Sequence, residues 1–144
     1  MKESNIQTEF GKRNHYSGVF ELKLCKGKSL PFGALAVHQE QALLDISSTR
    51  GLYYKISDFP MFAGNKMRYN RPKPFDSFYL ICQPAYVVVC FYVPRKKKRL
   101  YYIRIQDWIE MRNKTTRKSL TEPMAIEYSE IIEDYIKGNV NNNG

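Results

Sequence analysis

The apolar residues fall into short runs broken by turn-forming residues, the pattern of a sheet with helices packed on it. Residues 85–93 (AYVVVCFYV) are apolar without interruption, as a strand buried on both faces would be. Residues 100–105 (LYYIRI) read as its return after a turn, PRKKKR. Residues 19–24 (VFELKL), 51–57 (GLYYKIS) and 75–81 (FDSFYLI) have the β-branched and aromatic content of further strands. Helices are predicted over 4–15, where Gly11 is a weak point, and over 35–48, where Leu35, Ala36, Ala42, Leu43 and Ile46 share one side. A third helix begins at 106. A fourth is predicted from a cap at Ser119 or Thr121, with Ile126, Ile131, Ile132, Tyr135 and Ile136 at near-helical spacing. The polar stretch 58–74 reads as a loop of a length that is uncommon in compact domains unless it has a task. The expectation is one α/β domain over 1–138, with a central mixed sheet of about five strands flanked by helices, and a frayed tail over 139–144.

Composition narrows the class. Hydrophobic residues make up 43% of the 144 and aromatics 14%, which excludes a disordered chain. No apolar run approaches the ~18 residues of a membrane span. The first ten residues lack the apolar core of a signal peptide, so a cytoplasmic protein is expected, in the host's cytoplasm if a phage encodes it. Cys25, Cys82 and Cys90 form no CxxC pair and lie within strand-like runs, as reduced structural thiols would.

A net charge of +9 points to a polyanionic partner, with nucleic acid foremost. The cations are clustered. Arg95, Lys96, Lys97, Lys98 and Arg99 occupy one predicted turn; Arg112, Lys114, Arg117 and Lys118 follow; Lys66, Arg68, Arg71 and Lys73 lie in the long loop around Tyr69. Such clusters make phosphate contacts that position DNA without reading its sequence.

Within VFELKL, Glu21 and Lys23 project from the same face of the predicted strand, because side chains alternate. An acid and a base on a core strand must be paired or solvated, and either an edge strand with a solvated face or an ion pair between the two would satisfy that requirement. Other residues extend the set. KSLPF leads into a helix carrying His38 and Gln39, KPFDSF puts Asp76 at the start of a strand, and Glu9 lies on the helix before Glu21. Two carboxylates can hold Mg²⁺, which lowers the pKa of a bound water and neutralises phosphate charge; a lysine can stabilise the charge that develops.

FELKL followed by SLPFGALAVHQEQAL resembles the PD-(D/E)XK nuclease superfamily, and more narrowly the RecU-type Holliday-junction resolvases of bacteria and phages, in a compact, phage-like version. YYIRIQDWIEMRNKTTRKSLTEPMAIEYS is similar to that family's closing strand, hydrophobic helix and Arg-Lys-Ser segment, so the likeness spans most of 18–132. It implies a restriction-endonuclease-like core and an Mg²⁺-dependent enzyme, with Mn²⁺ able to substitute. It also implies a homodimer acting on four-way DNA junctions by symmetric hydrolysis. By the same resemblance Glu21 and Asp76 ligate the metal with the Leu22 carbonyl, and Lys23 contacts the water or phosphate. Gln39 orients them, Glu9 binds a metal-coordinated water or a second metal, and Ser29 and His38 contact DNA. The chain departs from the family in one respect. The family's metal-binding Asp precedes ExK, whereas no Asp lies upstream here. The insert after the His-Gln helix is expected to be a hairpin that returns the acid, as Asp76 or, failing that, Asp58. The family's junction-entering stalk has a counterpart here only if residues 60–74 supply it. A nuclease acting on other DNA structures and a catalytically inactive DNA-binding relative are the alternatives.

Overall fold

The computed structural model describes residues 2–13, 16–55 and 77–135. Its centre is a four-stranded mixed sheet in the order β1-β5-β6-β8. Strand β5 (Ala85–Phe91) is the apolar run, and all seven of its residues are buried. β1 (Val19–Cys25) lies parallel to it, with Val19 opposite Ala85 and Cys25 opposite Phe91. β6 (Lys98–Arg104) and β8 (Ile131–Tyr135) follow antiparallel on the other side. The chain enters β1 at Gly18, whose φ of 146° suits glycine and whose missing Cβ would stand 2.6 Å from the Pro84 carbonyl oxygen.

The period-2 alternation of these strands splits the core into two layers. Cys25, Val87, Val89, Tyr101 and Ile103 face one side. There they pack against α2 (Val37–Ser47), α3 (Ile105–Lys114) and α4 (Glu122–Tyr128), through Leu43, Trp108, Met111 and Ala125 among others. Leu22, Tyr86, Val88, Cys90, Leu100 and Tyr102 face the other side, where Ile6 and Phe10 of α1 (Glu3–Arg13) cover them. Phe20 stacks on Tyr86 and meets Phe10 edge-on, so this second layer is largely aromatic.

Two small sheets complete the fold. β2 (Ser29–Pro31) pairs with β7 (Ser119–Thr121), each burying its central leucine. β3 (Leu52–Lys55) and β4 (Ser77–Leu80) form an antiparallel ribbon from Leu52 opposite Leu80 to Lys55 opposite Ser77. The predicted insert hairpin therefore exists, but as a separate ribbon, and the central sheet has four strands where about five were expected. Among the described residues no helix is long and apolar enough to cross a membrane.

The C-terminal expectation fails at one element. The fourth helix stops at Tyr128, and Ile131–Tyr135 is a strand. Ile131 and Tyr135 satisfy a two-residue period as well as a helical one. With Glu133 between them bonded to the Tyr102 hydroxyl, the strand reading buries them against β6.

Candidate functional site

Glu21 and Lys23 share their face of β1 with Val19 and Cys25, which pack into the helix-covered layer. The face is apolar at both ends and charged in the middle. Gln39, in the first turn of α2, meets the charged part. Its Nε2 donates to Glu21 Oε1 at 2.8 Å, and its Oε1 accepts from Lys23 Nζ at 3.0 Å. Lys23 Nζ also lies 3.0 Å from Glu21 Oε1. Gln39 Oε1 further accepts the Ala36 backbone N–H at 3.1 Å, which satisfies one orphan donor at the start of α2.

The ion pair is thus satisfied from above by an amide. The Lys23 side chain is 11% exposed and that of Glu21 27%, so the lysine is the more enclosed partner and the carboxylate reaches solvent. Both protein contacts of Glu21 converge on Oε1, which leaves Oε2 without a protein partner among the described residues.

β1 is also an edge strand, paired on one side by β5. The Val19 N–H and Cys25 carbonyl bond toward β5 and its flanks, at 2.8 and 2.7 Å. Phe20, Leu22 and Leu24 have the opposite parity, so their backbone groups face the open edge. Glu3 Oε2 accepts the Leu24 N–H there at 3.4 Å. The Leu22 carbonyl therefore points to the open side of the strand that carries Glu21.

A two-pronged tie fixes α2 over this face. Arg112 of α3 forks the Glu40 carboxylate, next in sequence to Gln39, at 2.5 and 3.0 Å. Sequence reasoning put Arg112 among the phosphate contacts, whereas the structure commits it to Glu40. The signal was weak: an acid beside Gln39 and a basic residue on a later helix.

The remaining predicted residues are dispersed. His38 is exposed in the first turn of α2 beside Val37, which is 87% exposed. Ser29 is exposed in β2, opposite Thr121. Glu9 lies on α1, the helix on the face of the sheet opposite Glu21 and Lys23. Asp76, Asp58, Lys66, Arg68 and Arg71 fall outside the described residues. Asp76 directly precedes Ser77, the residue paired with Lys55 at the end of the ribbon. Among the described residues no group of three or more His, Cys, Asp or Glu stands together.

The basic cluster at 95–99 divides. Arg95, Lys96 and Lys97 are exposed in the turn, whereas Lys98 and Arg99 belong to β6. Lys98 Nζ sits 5.2 Å above the Tyr92 ring, and Arg99 pairs with Asp134. Arg117 and Lys118 are exposed before β7. Lys114 pairs with Glu110 one turn back on α3.

The thiols are free. Cys25 and Cys90 are buried in strands, and burial pushes the Cys90 thiol up to about 11. Cys82 is exposed, in the turn before β5, with a φ of 52°.

No protein-family model matches this chain, and no curated protein or solved structure matches it significantly.

Proposed function

We propose that the protein is a metal-dependent, structure-selective DNA endonuclease that resolves four-way junctions, and that its sheet is a restriction-endonuclease-like core. The observation that carries this reading is the Glu21–Lys23–Gln39 constellation on edge strand β1, with one carboxylate oxygen unengaged and the Leu22 carbonyl on the open edge. A structural ion pair needs neither of those last two features.

Glu21 Oε2 and the Leu22 carbonyl are hard oxygen donors of the kind Mg²⁺ takes, and Mn²⁺ accepts the same set. Asp76, or Asp58, is the candidate for the second carboxylate. When bound, the metal supplies charge neutralisation at the phosphate and a more acidic water. The chain's own groups do the rest. Lys23, held by Gln39 and Glu21, presents a fixed positive charge to the phosphate oxygens as the pentavalent arrangement develops. Gln39 holds Lys23 in place, so that little reorganisation accompanies reaction. Water attacks phosphorus, the P–O3′ bond breaks, and the products carry 5′-phosphate and 3′-hydroxyl ends. Symmetric cutting of a junction needs two sites, which a twofold homodimer provides.

The test offers a labelled four-way junction, a flap and linear duplex side by side in Mg²⁺ or Mn²⁺. Paired nicks confined to the junction are expected. Equal cutting of all three would make the protein a nuclease without junction selectivity. Tight junction binding with no cutting in either metal would favour a second reading, a catalytically inactive DNA-binding relative. The observation behind that reading is that Glu21 is the one carboxylate of the constellation among the described residues.

A further inference from the structure

We infer that the end of the sheet where β1 and β5 emerge is a phosphate-binding ridge for DNA, built from Lys26, Lys28, Arg95, Lys96 and Lys97. The inference rests on DNA being the partner, but not on its being cut. Because β1 and β5 run parallel, their C-terminal ends emerge together. The Tyr92 N–H donates to the Cys25 carbonyl at 2.7 Å, which sets Lys26 beside the start of the 92–97 turn. Two cationic segments far apart in sequence, KGK and PRKK, thereby become neighbours at the end of the strand that carries Glu21 and Lys23.

All five side chains are exposed, and none has a hydrogen-bonding or ion-pairing side-chain partner. At this end of the sheet Arg99 is committed to Asp134 and Lys98 to the Tyr92 ring, whereas Arg117 and Lys118 before β7 are exposed like the ridge cations. Among the nearby acids Asp134 is paired with Arg99, whereas Glu3 and Glu122 bond only the neutral Leu24 N–H and Tyr101 hydroxyl and keep their charge. The five ridge cations are free of ion pairs and outnumber those two carboxylates, so the ridge carries an excess of positive charge. Such a ridge destabilises the folded chain by self-repulsion, which is relieved when its cations neutralise DNA phosphates and release the counterions condensed on the DNA.

A backbone feature points the same way. In the turn closed by Lys96 N–H to the Val93 carbonyl at 3.2 Å, Pro94 is followed by Arg95 at φ 63°. That is the position of a type II turn where glycine is favoured and a side chain is strained. The turn keeps a cation at its tip where backbone sterics favour glycine.

The experiment measures binding to labelled junction and duplex, without divalent metal, across a KCl series. Each cation removed from the ridge should flatten the slope of log K against log salt by about 0.9. Lys26→Ala, Lys28→Ala and Lys96→Ala combined should therefore lose about three times that. Arg104→Gln, at a cation already paired with Glu130 at the other end of the sheet, should leave the slope unchanged. Arg95→Gly should flatten the slope by one increment yet raise the melting temperature, a combination that misfolding cannot produce. A triple variant with the parental slope would overturn the ridge while leaving DNA binding intact. A parent protein whose DNA binding is absent or insensitive to salt would overturn both. A ridge that behaves as expected in a protein that never cuts DNA would leave the ridge standing and defeat only the nuclease reading.

Discussion

Gln39→Met isolates what joins Glu21 to Lys23. Methionine has a similar length and volume, so packing at the start of α2 is largely kept while the amide is lost. Gln39 makes three polar contacts: 2.8 Å to Glu21, 3.0 Å to Lys23 and 3.1 Å to the Ala36 N–H. At about 1 kcal/mol for the neutral bond and about 1.5–3 for each bond to an ion, a simple sum gives roughly 4–7 kcal/mol. That sum is too large, because Lys23 and Glu21 still touch each other at 3.0 Å and Glu21 is 27% exposed, so water can take the place of the amide. The expected loss is about 1–2 kcal/mol, roughly 3–8 °C in melting temperature for a chain of this size. Urea unfolding with an unchanged slope and a lowered midpoint is the readout. A Gln39→Met protein with the parental urea midpoint would refute the idea that the amide holds the pair in place.

Further predictions follow from burial and pairing. One thiol, Cys82, should react with Ellman's reagent in the native state and all three after denaturation; rapid native reaction of Cys90 would contradict its burial. Burial, with Glu122 accepting its hydroxyl, pushes Tyr101 up to about 12, and burial and Glu133 push Tyr102 higher still. Folded values above the unfolded value of about 10 mean that this stability is intact below pH ~10 and is lost as pH rises toward the folded values. Tyrosinate absorbance should accordingly show Tyr101 and Tyr102 ionising only as the protein unfolds, and complete titration of a still-folded protein near pH 10 would contradict this. Arg112→Lys replaces a two-pronged contact with a single point charge, and should cost about 0.5–1.5 kcal/mol in urea unfolding, because the tie between α2 and α3 is partly enclosed.

Legibility from sequence tracked how strongly one physical constraint dominated each segment. β5 was plain because a strand buried on both faces admits only apolar residues. β1 was plain from its β-branched and aromatic run, and the placement of Gln39 beside Glu21 and Lys23 came from the family resemblance, not from any local pattern. β2 and β7 escaped notice because three-residue strands are too short to show a period. The last strand was misread because Ile131 and Tyr135 fit both a helical and a two-residue period, and its pairing with β6, which leaves Ile132 exposed, decides between them. The separation of β3–β4 into its own ribbon depends on pairing that no local pattern encodes. Lys26 and Lys28 carried no signal of their own, since only the parallel register of β1 and β5 brings them to the 94–97 turn.

We propose above that the Glu21–Lys23 face of β1 cuts DNA. The most direct test compares the parent, Glu21→Ala and Lys23→Ala on one labelled four-way junction with Mg²⁺, after confirming by circular dichroism that all three are folded. The account predicts paired nicks from the parent, none from Glu21→Ala, and a rate at least tenfold lower from Lys23→Ala, the equivalent of about 1.4 kcal/mol of lost transition-state stabilisation. Cleavage by Glu21→Ala at the parental rate would contradict it.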